Sequence, residues 1–415
     1  MTDAPLRLSS IPGYSRYLTA RVAAWIGNVM SVVALPVLIY QLTGSAALTG
    51  LLAAAGALPY LILGLPAGAL ADRWDARRTM AAWSTVAGVA MLSVSLAHGL
   101  GVLTAGHVIV TAFVVGVAFV FADAAGFGAL PRLVGRDNVG RATASQSAVY
   151  TVISIAGPGV AGMLITLVGP AWVVGLDGVG YLVEAALIAR LPLPRVRAEA
   201  SGRPTLLADV MEGLRFVWEQ HVIRVLTMVG LGLAVTGGGA VSALLVVVGV
   251  EAFGFTDDDS RLGVLYMAAS VGSFLGSVLV TRLQRRLRVG TITLAGLAAT
   301  VALVATLALT TDWIVGVGLI ALLNATMIAV TLNAIVVRQT VTPIRLQSRV
   351  NTTARMISWG GSPIGATLGG LIAGAGGIRL ALLLCAAGVL VSLAAGFAMG
   401  TRRIDRLDRL TPVED

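Results

Sequence analysis

The feature that most constrains this chain is a series of apolar runs, each long enough to cross a lipid bilayer. Of its 415 residues, 57% are hydrophobic and only 12% are charged. A membrane-spanning helix needs about 20 mainly apolar residues, and a soluble core of this size needs far less apolar surface. The runs lie near residues 17–40, 48–71, 79–98, 104–127, 143–168, 171–190, 224–249, 262–281, 289–310, 313–337, 349–374 and 379–400. The sequence therefore predicts an all-α integral membrane protein with twelve transmembrane helices.

Arginine residues between the runs predict how the chain is oriented. The net charge is +9, but the basic residues form short clusters and no basic stripe is interleaved with aromatic residues, so we expect no nucleic-acid partner. Nearly all the clusters fall on the same side as the N terminus, and only Arg261 and Arg379 fall in connections on the other side. The positive-inside rule then places both termini in the cytoplasm. The first apolar run is too long for a signal peptide, so we expect it to be the first span.

The sequence offers little for enzymatic, redox or metal chemistry. It holds one cysteine, Cys385, and three histidines, which excludes a disulfide framework and disfavours a zinc site. It contains no P-loop, no His-Glu-x-x-His and no convincing nucleophile triad. The glycine-rich run GLGLAVTGGG lacks the strand and turn of a nucleotide fingerprint and predicts a flexible or close-packed helix. We therefore expect no enzyme, no cofactor and no bound metal.

One ungapped shift of 208 residues aligns three separate stretches of the two halves. It pairs Arg16, Gly68, Arg77, Arg78, Arg141, Gly157 and Gly162 with Arg224, Gly276, Arg285, Arg286, Arg349, Gly365 and Gly370. A duplication implies two pseudo-symmetric six-helix halves with a substrate cavity between them near the bilayer midplane. The predicted division is a first half at 1–190, a linker at 191–221, a second half at 222–401 and a tail at 402–415.

The linker carries a segment with helical amphipathic spacing. Leu207, Val210, Leu214 and Val217 recur on one face, while charged residues occupy other faces. This pattern predicts a helix on the inner membrane surface. It would serve as a tether between the halves or as a regulatory site.

The stretch GALADRWDARR resembles the cytoplasmic loop motif between helices two and three of the major facilitator superfamily. The matching residues are Gly68, Leu70, Asp72, Arg73, Arg77 and Arg78. Asp75 stands where that motif usually has glycine, so the turn must be made differently. The second copy, GSVLVTRLQRR, has Val280 where the first has Asp72. The resemblance implies a role in conformational change. At the C-terminal end of span two, Asp72 needs a cationic partner, and this ion pair would exist in the first copy only.

Other segments are similar to drug, macrolide and siderophore exporters of this superfamily, over nearly the whole chain. They include ALPRLVGRDNVGRATA after span four and ADVMEGLRFVWEQHVIRVL before span seven. The resemblance implies the major facilitator fold and a monomer in the bacterial inner membrane. It also implies export of an amphipathic small molecule by alternating access, in exchange for protons. The alternatives are a dedicated siderophore or metabolite exporter, a lysolipid transporter, and a transport-inactive membrane sensor or scaffold.

Glycine and proline residues mark helix contacts in spans two, five and eleven. Gly157-Pro158 and Gly162 are similar to the Gly-Pro motif of antiporters, with Ala161 where a glycine is usual. Gly64-x-x-x-Gly68 and Gly365-x-x-x-Gly369 allow neighbouring helices to approach closely. These faces serve either static packing or sliding during transport. Pro158 removes a backbone donor and can bend span five, either for gating or merely for shape.

Ionisable residues inside the spans are the candidates for proton coupling. Asp177 and Glu184 are seven residues apart in span six, so they share one helix face and are predicted to line the cavity. A buried carboxyl is costly and marks a functional site; for Asp177 the alternative is a capping or helix–helix hydrogen bond. Asp123, near the end of span four, is a third candidate, although pairing with loop arginines is the favoured interpretation. Arg21 is expected to extend toward the interface.

Six further polar or aromatic residues in the spans are candidates for the substrate cavity. They are Trp25, Asn28, Gln146, Tyr150, Asn324 and Asn333. Helix–helix hydrogen bonding is an equal alternative for each of them. Related exporters often have aspartate at the position of Asn28. The asparagine side chain can form hydrogen bonds with a substrate, but unlike aspartate it cannot take up a proton.

Overall fold

The described part of the chain is helical throughout. The computed structural model describes residues 8–71, 74–192, 206–343 and 346–409, and these ranges contain no β-strand. Long helices form because backbone groups in lipid must bond within their own segment. The α-helices are α1 (Tyr14–Thr43), α2 (Ala46–Ala71), α3 (Ala76–Gly99), α4 (Ala105–Val134), α5 (Val139–Val168), α6 (Pro170–Ala189), α7 (Leu206–Glu219), α8 (His221–Leu233), α9 (Ala240–Ala243), α10 (Leu245–Val247), α11 (Arg261–Gln284), α12 (Val289–Leu309), α13 (Trp313–Val341) and α14 (Gln347–Ala398).

The twelve predicted spans are confirmed. Spans one to six are α1 to α6, and spans eight to ten are α11 to α13. The last two spans lie in α14, whose 52 residues are broken at Gly377, where φ is 79° and ψ is 165°. Only glycine adopts this backbone conformation readily. The break therefore divides α14 into two membrane-crossing segments.

Span seven is the irregular span of the described chain. Helix α8 continues through a π-helical turn at Ala234–Gly239, then α9 and α10, and a second π-helical turn at Val248–Ala252. The glycines predicted to allow close packing do so: a methyl group at Gly239 would lie 2.8 Å from the Ser362 Cα of α14. The backbone of span seven therefore lies close to α14 at the first π-helical turn.

Contacts between Cα atoms divide the chain into two compact units. The first unit comprises 1–38, 58–202 and 258–263, and the second comprises 39–57, 203–257 and 264–415. These units do not follow the predicted boundaries everywhere, because 39–57 joins the second unit. Within that unit, a methyl group at Gly50 would lie 2.9 Å from the Gly370 Cα, so α2 and α14 are in backbone contact there.

The amphipathic segment of the linker forms a helix, α7. Residues 193–205 lie outside the described part of the chain. Glu212 of α7 forms an ion pair with Arg349, and Val217 is fully buried in a core cluster with Val350. Gly213 allows this contact, since a methyl group there would lie 2.9 Å from the Arg349 carbonyl oxygen. Helix α7 therefore packs on the start of α14.

The loop motif is only partly described. Asp72 and Arg73 lie outside the described residues, and Gly68 lies in the last turns of α2. Asp75 accepts a 3.0 Å hydrogen bond from the backbone N–H of Arg78 and caps the N terminus of α3. Aspartate is a favoured N-cap residue. The residue that departs from the family pattern thus begins the next helix.

Candidate functional site

The first unit encloses a cavity of about 550 Å³ between α1, α3, α4, α5 and α6. Its wall consists mainly of small apolar and aromatic side chains with a few polar groups. Of the predicted residues, the cavity brings together Trp25, Asn28, Asp123, Gln146, Tyr150 and Glu184. A largely apolar cavity with a few converging polar groups is typical of a small-molecule site.

An ion pair between α1 and α6 lies in the wall of this cavity. Arg21 Nη1 donates to Glu184 Oε1 at 2.8 Å, and Ser84 Oγ of α3 donates to Glu184 Oε2 at 2.9 Å. The Glu184 side chain is 2% exposed and that of Arg21 is 17% exposed. The expectation that Arg21 extends to the interface is therefore wrong, because Glu184 offers it a charged partner inside the unit. Sequence spacing did not reveal this pair, whose members are 163 positions apart.

Aromatic side chains form one face of the cavity. Trp25 and Tyr150 meet edge to face, with ring centroids 5.5 Å apart. The Arg21 guanidinium lies 5.3 Å from the Trp25 ring centroid, within the range of a cation–π contact. Trp83 lines the cavity and stacks on Phe121, with centroids 4.7 Å apart. These rings present broad apolar surfaces that suit a flat or bulky ligand.

Asp123 lies in the cavity wall, half-buried on α4. Its carboxylate forms no hydrogen bond and no ion pair with the described residues, and Arg21 acts on it electrostatically from beyond ion-pair distance. Arg73 of the loop lies outside the described residues, so the pairing with loop arginines stays a prediction.

Asp177 lies between α1 and α6 and is not among the residues that line the cavity. Its side chain is fully buried, and neither carboxyl oxygen forms a hydrogen bond of ordinary geometry in the described part of the chain. The buried Ser31 hydroxyl of α1 is close enough to interact with this carboxyl without completing such a bond. Gly27 leaves the space for this carboxyl, because a methyl group there would lie 2.6 Å from the Asp177 Cα. Asn28, the next residue, makes a long 3.5 Å contact with the Tyr181 hydroxyl.

Two predicted cavity residues instead make hydrogen bonds within the second unit. Asn333 Nδ2 donates to the Val289 carbonyl oxygen and to Thr293 Oγ1, both at 3.1 Å, and its Oδ1 accepts from Gln284. Asn324 Nδ2 donates to the Ile320 carbonyl oxygen at 2.9 Å. Asn333 thus joins α11, α12 and α13, and these contacts favour the packing interpretation.

The predicted glycine positions lie at close helix contacts inside each unit. In the first unit, a methyl group at Gly157 would lie 2.6 Å from Val29, and one at Gly162 would lie 2.9 Å from the Gly263 Cα. In the second unit, Gly369 approaches Ala240 and Gly365 approaches the Val235 backbone. Pro158 is buried within a continuous α5. These contacts favour the packing interpretation, while roles in sliding or gating stay predictions.

Known proteins are similar in sequence over most of the chain. The sequence profile of the transmembrane secretion effector family matches residues 4–413. The multidrug efflux pump Tap of Mycolicibacterium fortuitum is 29% identical, covering 94% of this chain and 96% of that pump. The enterobactin exporter EntS of Shigella boydii serotype 4 is 26% identical, covering 88% of this chain and 86% of that exporter.

Solved structures show the same fold. A bacterial homologue of the human lysosomal transporter Spinster, inward-facing and unoccupied, superposes with a TM-score of 0.75. It covers 95% of this chain and 98% of its own length at 15% sequence identity. The chain therefore belongs to the transmembrane secretion effector family of the major facilitator superfamily and is an efflux transporter.

Proposed function

We propose that this efflux transporter exports an amphipathic small molecule in exchange for protons, and that the cavity of the first unit binds that molecule. The observation that carries the proposal is the cavity itself, in which aromatic and small apolar walls surround one buried ion pair. The similarity to a multidrug efflux pump supports a broad substrate range. The similarity to an enterobactin exporter supports the alternative of a dedicated siderophore exporter.

Glu184 is the proposed coupling residue. As a carboxylate it binds Arg21 and Ser84, and as a neutral acid it loses the charge that holds Arg21. Breaking a buried ion pair by removing one partner costs about 3–5 kcal/mol. Proton uptake on Glu184 would therefore favour a rearrangement of α1 against α6. Asp177, on the same helix and fully buried beside Ser31, is the second candidate.

The proposed setting is the bacterial inner membrane, with the protein as a monomer and both termini cytoplasmic. The arginine distribution along the sequence supports this orientation. The proposed working parts are the two sequence halves, 1–190 and 222–401, joined by the linker, with the tail at 402–415 following the second half. The 208-residue repeat supports this division.

Transport assays on inverted membrane vesicles test the proposal. Vesicles carrying the protein would receive fluorescent amphipathic compounds that are cationic, neutral or anionic, and uptake would be followed with and without a proton uncoupler. We expect uncoupler-sensitive uptake of at least one class, absent from vesicles without the protein. If no class moves in a gradient-dependent way, the transport-inactive scaffold becomes the better account.

A further inference from the structure

The formal charges in the cavity wall do not sum to zero. Among the described residues, three charged side chains line it, namely Arg21, Asp123 and Glu184. Arg21 and Glu184 neutralise each other at 2.8 Å. The remaining group is Asp123, so the wall carries one formal negative charge that no described cation neutralises through an ion pair.

The surroundings of Asp123 leave its carboxylate available to a ligand. The side chain is half-buried in the cavity wall and makes no hydrogen bond or ion pair with the described residues. Among the described residues, Arg21 is the one cation that lines the cavity. Its Nη1 donates to Glu184, and its charge reaches Asp123 only from beyond ion-pair distance. A carboxylate in a partly desolvated wall gains strongly from an opposite charge, because Coulomb interactions strengthen as water is excluded.

The aromatic residues of the same cavity suit a cation as well. Trp25, Trp83 and Tyr150 all contribute to the wall. The negative faces of such rings attract organic cations, and quaternary ammonium ligands are recognised in this way. An organic anion would gain only apolar burial from these rings, without the attraction of the ring faces for a cation, and would be repelled by the charge of Asp123.

We propose that this cavity selects amphipathic organic cations, and that Asp123 is the residue that binds their positive charge. The inference rests on the proposed role of the cavity as the substrate site. It assigns Asp123 to charge recognition, whereas proton coupling is assigned to Glu184. A multiply anionic ligand is disfavoured in this cavity.

Equilibrium binding of two probes of equal shape and opposite charge tests the inference. The probes are tetraphenylphosphonium and tetraphenylborate, and the protein is the full chain in lipid nanodiscs, with empty nanodiscs as the blank. Wild-type protein should bind the phosphonium more tightly than the borate. Tighter or equal binding of the borate would overturn the inference, and this comparison requires no variant.

Substitutions at Asp123 then test whether this residue binds the positive charge of the probe. We expect Asp123→Asn to weaken phosphonium binding about tenfold or more, and Asp123→Glu to retain most of the affinity. The matched control is Asp137→Asn, at an exposed position in a short turn outside the cavity, which should bind as the wild type does. Unchanged phosphonium affinity in a folded Asp123→Asn protein would refute the role of Asp123.

This experiment is independent of transport, because binding is measured without a gradient. Cation binding that depends on Asp123, together with no gradient-driven uptake, would support the site and contradict the proposed exchange. Gradient-driven uptake with no preference for cations would support the exchange and contradict the site.

Discussion

At the scale of single residues, the contact between Gly27 and Asp177 sets how closely α1 and α6 can pack. Asp177 is fully buried, and Gly27 has no side chain where a methyl group would lie 2.6 Å from the Asp177 Cα. Small residues at such interfaces let helix backbones approach in a membrane. The Asp177 carboxyl can therefore be buried between α1 and α6 only because residue 27 is glycine.

Gly27→Ala should lower the thermal stability of the purified protein, because the added methyl group forces α1 and α6 apart. Overpacking of this kind costs about 1–3 kcal/mol. The measurement is loss of the monodisperse peak in detergent after heating. The matched control is Gly140→Ala in α5, where a methyl group meets no atom within 4 Å. Equal stability of the two variants would contradict the tight contact.

Residue roles were predicted from the sequence only where the residue type itself is informative. A carboxyl in an apolar span is costly, and this cost directed attention to Glu184, which lies in an ion pair in the cavity wall. The partner of Glu184 was missed, because Arg21 lies one turn inside α1, where extension to the interface is the usual behaviour. Only the packing of α1 on α6 brings the two charges together.

At the scale of elements, the break in α14 is held by groups from other helices of the second unit. Beyond Gly377, the Ile378 backbone N–H donates to Glu251 Oε2 at 3.0 Å. Tyr40 of α1 makes a long 3.5 Å contact with the other oxygen of the same carboxylate. A carboxylate at the start of a helix satisfies a free N–H and interacts favourably with the helix dipole. Span twelve therefore begins on a cap supplied by span seven.

Gly377→Ala should destabilise the protein, since alanine at a φ of 79° is strained. Residues with a side chain hardly adopt a positive φ together with a ψ near 165°, and such strain costs about 1–3 kcal/mol. Thermal unfolding of purified protein measures the loss. Gly374→Ala, in the helical part of α14 with ordinary contacts near 3.5 Å, is the control and should be tolerated. If both variants unfold at the same temperature, the break does not depend on glycine geometry.

Helix positions were predictable because lipid leaves the backbone few alternatives. The gap between the predicted spans 349–374 and 379–400 coincides with the break at Gly377. The π-helical turns of span seven were not predicted. The first of them lies against Ser362 and Gly365 of α14, a contact between distant parts of the sequence. Apolar composition alone does not distinguish an α-turn from a π-turn.

At the scale of the whole molecule, the sequence repeat reappears in the contacts within each unit. The 208-residue shift pairs Gly162 with Gly370. Gly162 contacts Gly263 inside the first unit, and Gly370 contacts Gly50 inside the second. The predicted boundary at 190 differs from these units because segments 39–57 and 258–263 pack with residues of the other sequence half. The sequence alone does not predict that these two segments pack with the other half, because this packing depends on the conformation of the whole chain.

Transport by alternating access requires such contacts to open. Ala47→Cys with Gly374→Cys, in a Cys385→Ser background, tests this within the second unit. A methyl group at Gly374 would lie 3.5 Å from the Ala47 Cβ, a distance that fits a disulfide. We expect oxidation to stop gradient-driven transport and reduction to restore it, with the single-cysteine variants unaffected. Full transport by the cross-linked protein would show that α2 and α14 need not separate.

The central claim is that Glu184 couples proton movement to export. The most direct test is Glu184→Gln in proteoliposomes, measured in two modes: accumulation driven by an imposed pH gradient, and counterflow exchange of labelled for unlabelled substrate without a gradient. The control is Glu219→Gln, an exposed substitution on α7. The account predicts loss of gradient-driven accumulation with counterflow retained, and wild-type behaviour in the control. Gradient-driven accumulation by Glu184→Gln at the wild-type level would contradict it.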